Sequence, residues 1–382
     1  MILKTDLPRI FNEFDGARQK GFLEAKKQKE AGVPLIGYYC TFFPVEIAMA
    51  MDISTVSLCA FSNETIPEAE KDLPSNLCPL IKSSYGFASS DKCPYFYFSD
   101  LIVGETTCDG KKKMYEYMGQ FKDVFVMELP NRLSDQGRAL WISEMKRLAG
   151  YLEEKFQRKL DMDRLKEAIK KKNAERKAML DFARLMTLDP PPMKSSELYS
   201  VLYGSAYELD KLDFPARIEK TIEIIKSSYD PASLERRPRI LITGCPIGGD
   251  TEKLIDAVEQ NGGTVVVFEN CGGVKPLATL TDEDDEDPFE ALADKYLAIG
   301  CSCISPNPRR LELLDKLIDE FKVDAVLEMV LHACHTYNVE SKSIQRFCQD
   351  KKGVPYMSVE TDYSPTDIGQ LNTRIGAFIE ML

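Results

Sequence analysis

Eleven cysteines are spread along this chain of 382 residues. Most stand beside Gly, Pro, Asp or His, where an apolar run gives way to a turn: Cys40 in GYYCTF, Cys78 in NLCPLIKSSYG, Cys93 in DKCPYF, Cys108 in TTCDG, Cys245 in TGCPIGG, Cys271 in ENCGG, Cys301 and Cys303 in GCSC, and Cys334 in HACH. Thiolates are the ligands of iron–sulfur clusters, so thiols at turns from many parts of one chain point to a buried cluster and to redox chemistry. Cys301 and Cys303 are too close for two tetrahedral ligands of one simple zinc site, and no zinc-like CxxC pair is present, so zinc ranks below iron–sulfur. Free cysteine is also a common core residue. That structural role suffices for Cys59, which reads as part of a strand, and for Cys348, on a polar helix.

Several neighbouring residues could serve such a centre. Cys108 falls at a predicted helix N-terminus, where the dipole and free N–H groups stabilise a thiolate; a cap by Thr107 or Asp109 fits the same residues. Cys78-Pro79 lies in a polar loop with Lys82 and Tyr85 close behind. Both histidines flank one cysteine, as His332-Ala333-Cys334-His335, and either could donate a proton, hydrogen-bond cluster sulfur or ligate metal. Glu46, at a predicted helix start, is either a cleft carboxylate or a first-turn acid that complements the dipole. Glu360 and Asp362 end a strand and could orient the site. TGCPIGGD matches neither mononucleotide signature, so ATP, if it drives this chemistry, is hydrolysed by another protein.

These residues need a scaffold that collects turns at one edge. GVPLIGYYC, STVSLCA, YFYFSDLIVGETTCDG and FKDVFVMELP read as strands alternating with helices, the pattern of parallel βαβ units. RPRILITG, TVVVFENC, KVDAVLEMVL and VPYMSVETDYS repeat it, with GQLNTRIGAFIEML as a closing helix. The expected architecture is α/β: two similar parallel-sheet domains, Rossmann-like or flavodoxin-like, facing across a cleft. The boundaries are 1–30 for an N-terminal helical segment (helix over 8–31), 31–133 for the first domain, 134–235 for a helical connection and 236–382 for the second domain. Ligands of such sheets bind at the carboxyl ends of the strands, where Cys40, Cys108, Cys245, Cys271 and Cys334 fall. The halves echo each other, as in an internal duplication.

Net charge is −12, and no basic footprint for nucleic acid appears. The lysine runs at 111–113 and 170–173 read as solvated helix faces. No apolar run approaches a membrane span and no signal-peptide core is present, so a reducing cytoplasm is expected, where structural disulfides are rare.

Together, YYCTFFPVEI, the Cys78 loop, TTCDG, HACHTY and VETDYS…GQLNTRIGAFIE resemble the 2-hydroxyacyl-CoA dehydratase and benzoyl-CoA reductase superfamily over essentially the whole chain. The surplus of cysteines resembles its double-cubane cluster branch. The resemblance implies a [4Fe-4S] cluster held by three cysteines at the positions of Cys78, Cys108 and Cys334, with one iron open for chemistry. In the double-cubane branch two such units share a bridging sulfide as [8Fe-9S], and three further thiolates come from among Cys40, Cys245, Cys271, Cys301 and Cys303, with Cys93 ranked behind them. It also implies an anaerobic homodimer and a separate ATP-hydrolysing [4Fe-4S] activator that supplies low-potential electrons. The expected activity is reduction of a small molecule, with His332, His335 or Glu46 supplying protons. The alternatives are an (R)-2-hydroxyacyl-CoA dehydratase component with one [4Fe-4S] cluster and a non-catalytic electron carrier. No CoA pocket is legible.

Overall fold

A computed structural model describes residues 16–209, 211 and 213–382. It begins at Gly16, which precedes helix α1 (Ala17–Glu30); the part of the expected helix over 8–15 lies outside the described residues. The first half then runs β1 (Leu35–Tyr38), α2 (Val45–Ala50), β2 (Ser54–Ser57), α3 (Pro79–Ser89), β3 (Leu101–Glu105), α4 (Asp109–Met118) and β4 (Val124–Met127). The segment YFYF, expected as strand, is instead a helix over Pro94–Phe98, and only LIVGE pairs as β3. Proline at its first helical position and the Cys93 sulfur, which accepts from Phe96 N at 3.4 Å, favour that helix start.

Two long helices follow, α5 (Asp135–Phe156) and α6 (Met162–Ala183), then α7 (Phe214–Ser228). Ser134 and Asp161 cap the first two through amides three residues on, at 3.1 and 3.0 Å. The second half runs β5 (Arg239–Gly244), β6 (Thr264–Phe268), α8 (Pro288–Leu297), α9 (Pro308–Glu320), β7 (Ala325–Leu331), α10 (His335–Arg346), β8 (Tyr356–Thr361) and α11 (Ile368–Ile379).

The strands form two four-stranded sheets, ordered β2-β1-β3-β4 and β6-β5-β7-β8, with every pairing parallel. β3, β5 and β7 are buried along their whole length, which follows from apolar runs such as Ile240–Leu241–Ile242 under helices on both faces. The common order places the reversal of winding between β1 and β3 and between β5 and β7. That is where an open parallel sheet leaves its ligand crevice.

Among the described residues no helix is long and apolar enough to cross a membrane.

Candidate metal centre

The turns after the strands carry thiols. Cys40 follows β1, Cys108 follows β3, Cys245 follows β5, Cys271 follows β6 and Cys334 follows β7. Cys78, Cys108 and Cys334 are the N-cap residues of α3, α4 and α10. Neither Thr107 nor Asp109 caps α4; Asp109 instead pairs with Lys112 at 2.6 Å.

Local backbone explains some of these placements. Gly244 has φ +102°, and a Cβ there would lie 2.1 Å from the Met329 carbonyl oxygen. Only glycine allows this turn, which brings Cys245 N to Met329 O at 2.8 Å and lets Leu331 N donate to Cys245 Sγ at 3.3 Å. Ala333, between the two histidines, is held at φ +56°, a left-handed conformation that costs a non-glycine residue energy.

Nine of the eleven cysteines, all but Cys93 and Cys348, line one cavity of 2040 Å³ between the halves. Every cysteine is a free thiol. The seven expected ligands, Cys40, Cys78, Cys108, Cys245, Cys271, Cys303 and Cys334, are all on this wall, as is Cys301. Two groups stand out. In one, Cys245 and Cys78 both reach Cys334 and hydrogen-bond its sulfur, which lowers the Cys334 pKa; Cys108 lies beside them. In the other, Cys303 reaches Cys301 and lowers its pKa, while Cys40 and Cys271 feel the Cys301 charge. Thr41 Oγ1 approaches Cys271 Sγ at 3.9 Å across the seam between the halves. Among the described residues no three His, Cys, Asp or Glu side chains converge on a point that would hold a single metal ion.

Burial makes the thiolate form costly through most of this wall. It is the leading reason that Cys40, Cys108, Cys245 and Cys271 are pushed up. For Cys78 the hydrogen bond to Cys334 comes first and burial second, with the Leu80 and Ile81 amides at the start of α3 working against both.

Two buried lysines offset negative charge here. Lys111 donates to the Tyr39 carbonyl at 2.9 Å and favours the thiolates of Cys40, Cys59 and Cys108. Lys275 pairs with Glu269 at 3.1 Å and favours those of Cys271 and Cys301. Lys111 corrects the reading of 111–113 as a solvated face, since it is buried while Lys112 and Lys113 are exposed. Its cue was its place three residues after a ligand-like cysteine, on the inward side of the first helical turn.

Other expected residues are scattered. His335 lines the cavity, whereas His332 points outward and meets Glu360 Oε1 at 2.7 Å. Asp362 accepts from Ser364 N at 2.7 Å. Glu46 is fully buried and is not on the cavity wall. Its carboxylate meets Arg176 at 2.6 Å and accepts from the Tyr296 hydroxyl at 2.8 Å. Burial opposes ionisation of Glu46, but Arg176 and Lys295 outweigh it and lower its pKa. Cys59 lies beyond the end of β2 and on the cavity wall, not inside a strand; its thiol donates to Tyr39 O at 3.1 Å. Cys348 is fully buried.

Reasoning from residue types missed Glu105. It ends β3 with both carboxyl oxygens buried and without a hydrogen-bond partner on any other described residue. Burial pushes its pKa up to about 8 despite Lys111 nearby.

The 2-hydroxyglutaryl-CoA dehydratase D-component family model matches residues 40–382. The chain belongs to this family. It is 54% identical to the "Putative dehydratase subunit YjiM" of Escherichia coli (strain K12) over 384 residues, 100% of both chains. It is 24% identical to the (R)-phenyllactyl-CoA dehydratase beta subunit of Clostridium sporogenes, over 98% of this chain and 99% of that one. With a benzoyl-CoA reductase subunit of Thauera aromatica it shares 23% identity over 53% of this chain and 49% of that one. The superfamily resemblance of the cysteine motifs is therefore family membership.

Proposed function

We propose that this chain holds an [8Fe-9S] double-cubane cluster in the cavity and uses it to reduce a small molecule. The electrons come from a separate ATP-hydrolysing [4Fe-4S] activator, and the chain works as a homodimer in the cytoplasm. The observation that carries the reading is the pair of thiol groups facing one cavity. Cys78, Cys108, Cys245 and Cys334 would serve one cubane. Cys40, Cys271, Cys301 and Cys303 would serve the other, with three thiolates drawn from each group. A cubane takes its thiolates on different irons, so its ligands need not converge on one point.

The donor set fits such a group chemically. Buried thiols whose ionisation burial resists are stabilised when a cationic metal centre takes their negative charge. The first-turn amides of α3 and α10 favour the Cys78 and Cys334 thiolates, and Lys111 and Lys275 add fixed positive charge. When bound, the cluster supplies a low-potential electron store. The chain's own residues bury it, set its surroundings and hold protons near it, with His335 on the cavity wall and Glu105 behind it. The cavity exceeds the roughly 300–1,000 Å³ usual for a small-molecule pocket, which leaves room for a substrate beside the cluster.

Iron and acid-labile sulfide per monomer, on protein purified without oxygen, test the reading. About eight irons and nine sulfides, together with ATP- and activator-dependent reduction of the cluster, are the expected result. About four of each would favour the second reading, a dehydratase component with one [4Fe-4S] cluster, which the names of the relatives support. Absence of iron in folded protein would overturn both.

A further inference from the structure

Lys295, on α8, is the exception among the buried lysines. Lys82 pairs with Glu70 at 2.7 Å, Lys111 donates to a carbonyl and Lys275 pairs with Glu269. Lys295 is 3% exposed and reaches the cavity wall. No hydrogen bond or ion pair holds its ammonium among the described residues; it lies over the Tyr296 ring at 4.0 Å. An ammonium removed from water without an ion-pair partner in contact is strongly disfavoured.

Its surroundings deepen the imbalance. Arg176 is matched to Glu46 at 2.6 Å, while Lys172 and Lys211 share the single carboxylate of Glu175 at 2.6 and 3.4 Å. Four cations, Lys172, Arg176, Lys211 and Lys295, thus stand with two carboxylates, Glu46 and Glu175, in a chain whose net charge is −12. Burial first, and then Arg176, lower the Lys295 pKa well below the ordinary lysine range, against the opposing pull of the Glu46 carboxylate. The Tyr38 hydroxyl feels both Glu175 and the Cys40 and Cys59 thiols, so this basic corner and the thiol wall meet at Tyr38 on one cavity.

We propose that the corner around Lys295 binds the oxyanion group, carboxylate or phosphate, of the small molecule that this cavity accepts. The inference rests on the cavity being the substrate chamber. An oxyanion there supplies the contact partner that Lys295 lacks, since Glu46 acts on it only at a distance, and accepts its N–H donors. The remainder of the molecule extends past Tyr38 toward the thiols. The substrate class is accordingly a small organic acid or phosphate ester, not a neutral molecule.

The test is anaerobic titration calorimetry of the iron-loaded protein with sodium acetate and with inorganic phosphate at constant ionic strength. It uses wild type, Lys295→Met and Lys171→Met, the last being a cavity-lining lysine paired with Glu167 at 2.8 Å. At least one anion should bind wild type and Lys171→Met alike, and bind Lys295→Met about tenfold or more weakly, the loss expected for a charged hydrogen bond. Acetate alone binding assigns a carboxylate, and phosphate alone assigns a phosphate ester. The anion-free Lys295→Met protein should melt no lower than wild type, because a buried amine without a contact partner has been removed while Arg176 still neutralises Glu46; a purely structural lysine would give a lower Tm. Lys295→Gln replaces the Met variant if that fails to fold. Neither anion binding, or equal binding by the Lys295 variants, overturns the proposal. Iron measured on the same samples keeps the two readings apart. A loaded protein that binds neither anion removes the anion corner alone, and an iron-free protein that binds one removes the cluster alone.

Discussion

Both carboxyl oxygens of Glu105 are buried and without a partner on any other described residue, and burial raises its pKa to about 8 against 4.5 for an ordinary glutamate. Between those pH values the unfolded chain has lost the proton and the folded chain keeps it, so stability falls as pH rises through that window. Glu105→Gln should remove the slope. Urea titrations of cluster-free protein should show the variant gaining on wild type from pH 5 to pH 8 by a few kcal/mol, at most about 1.4 kcal/mol per pH unit; parallel curves would show that Glu105 ionises freely. At this scale the thiols were legible because Pro, Gly and His beside cysteine mark turns. The charged residues were not. Lys111 sits in a run of three lysines and Lys295 in the unremarkable ADKYL, and nothing in either string says which side chain turns inward. That is decided by the helix phase against a sheet that the string does not display.

Among the elements, α6 does the most to join the parts. Its Arg176 meets Glu46 on α2 at 2.6 Å and donates to the Tyr296 hydroxyl on α8 at 3.2 Å, and the helix also packs on α7. Removing one member of a buried ion pair strands the other charge. Arg176→Met should therefore lower the unfolding free energy by about 3–5 kcal/mol. Adding Glu46→Gln to it should recover most of that loss in urea denaturation. A double variant as unstable as the single would mean that Arg176 acts through packing alone. The strands of both sheets were legible because β-branched and apolar runs alternate with polar, capped helices. The helix over Pro94–Phe98 was hidden because its aromatic run fits a strand equally well, and proline with a sulfur cap decides it. Cys59 was misplaced by two residues, since β2 stops at Ser57.

For the whole molecule, the proposed cluster is a rivet between two half-proteins. Cys40, Cys78 and Cys108 come from one sheet domain, and Cys245, Cys271, Cys301, Cys303 and Cys334 from the other. A ligand bound only by the joined form stabilises it by mass action. Stripping iron anaerobically with a chelator should lower the melting midpoint by about 5 °C or more and separate the transitions of the halves in calorimetry. An unchanged single transition would show that the halves hold together through their own packing. The duplicated pattern was visible in the order of strands and cysteines, whereas the contact between the halves was not, because no local signal reports which faces of two sheets meet.

The shared strand order has one more consequence. Cys40 corresponds to Cys245, Cys108 to Cys334 and Cys59 to Cys271, each pair closing the same strand of its sheet. The proposed cubanes do not follow this correspondence, because Cys108 and Cys334 fall in one thiol group whereas Cys40 and Cys245 fall in different ones. The lysine-rich corner adds to this asymmetry, with its cations coming from α6, α8 and the stretch before α7. Direction in such a molecule would follow from what its two halves do not share.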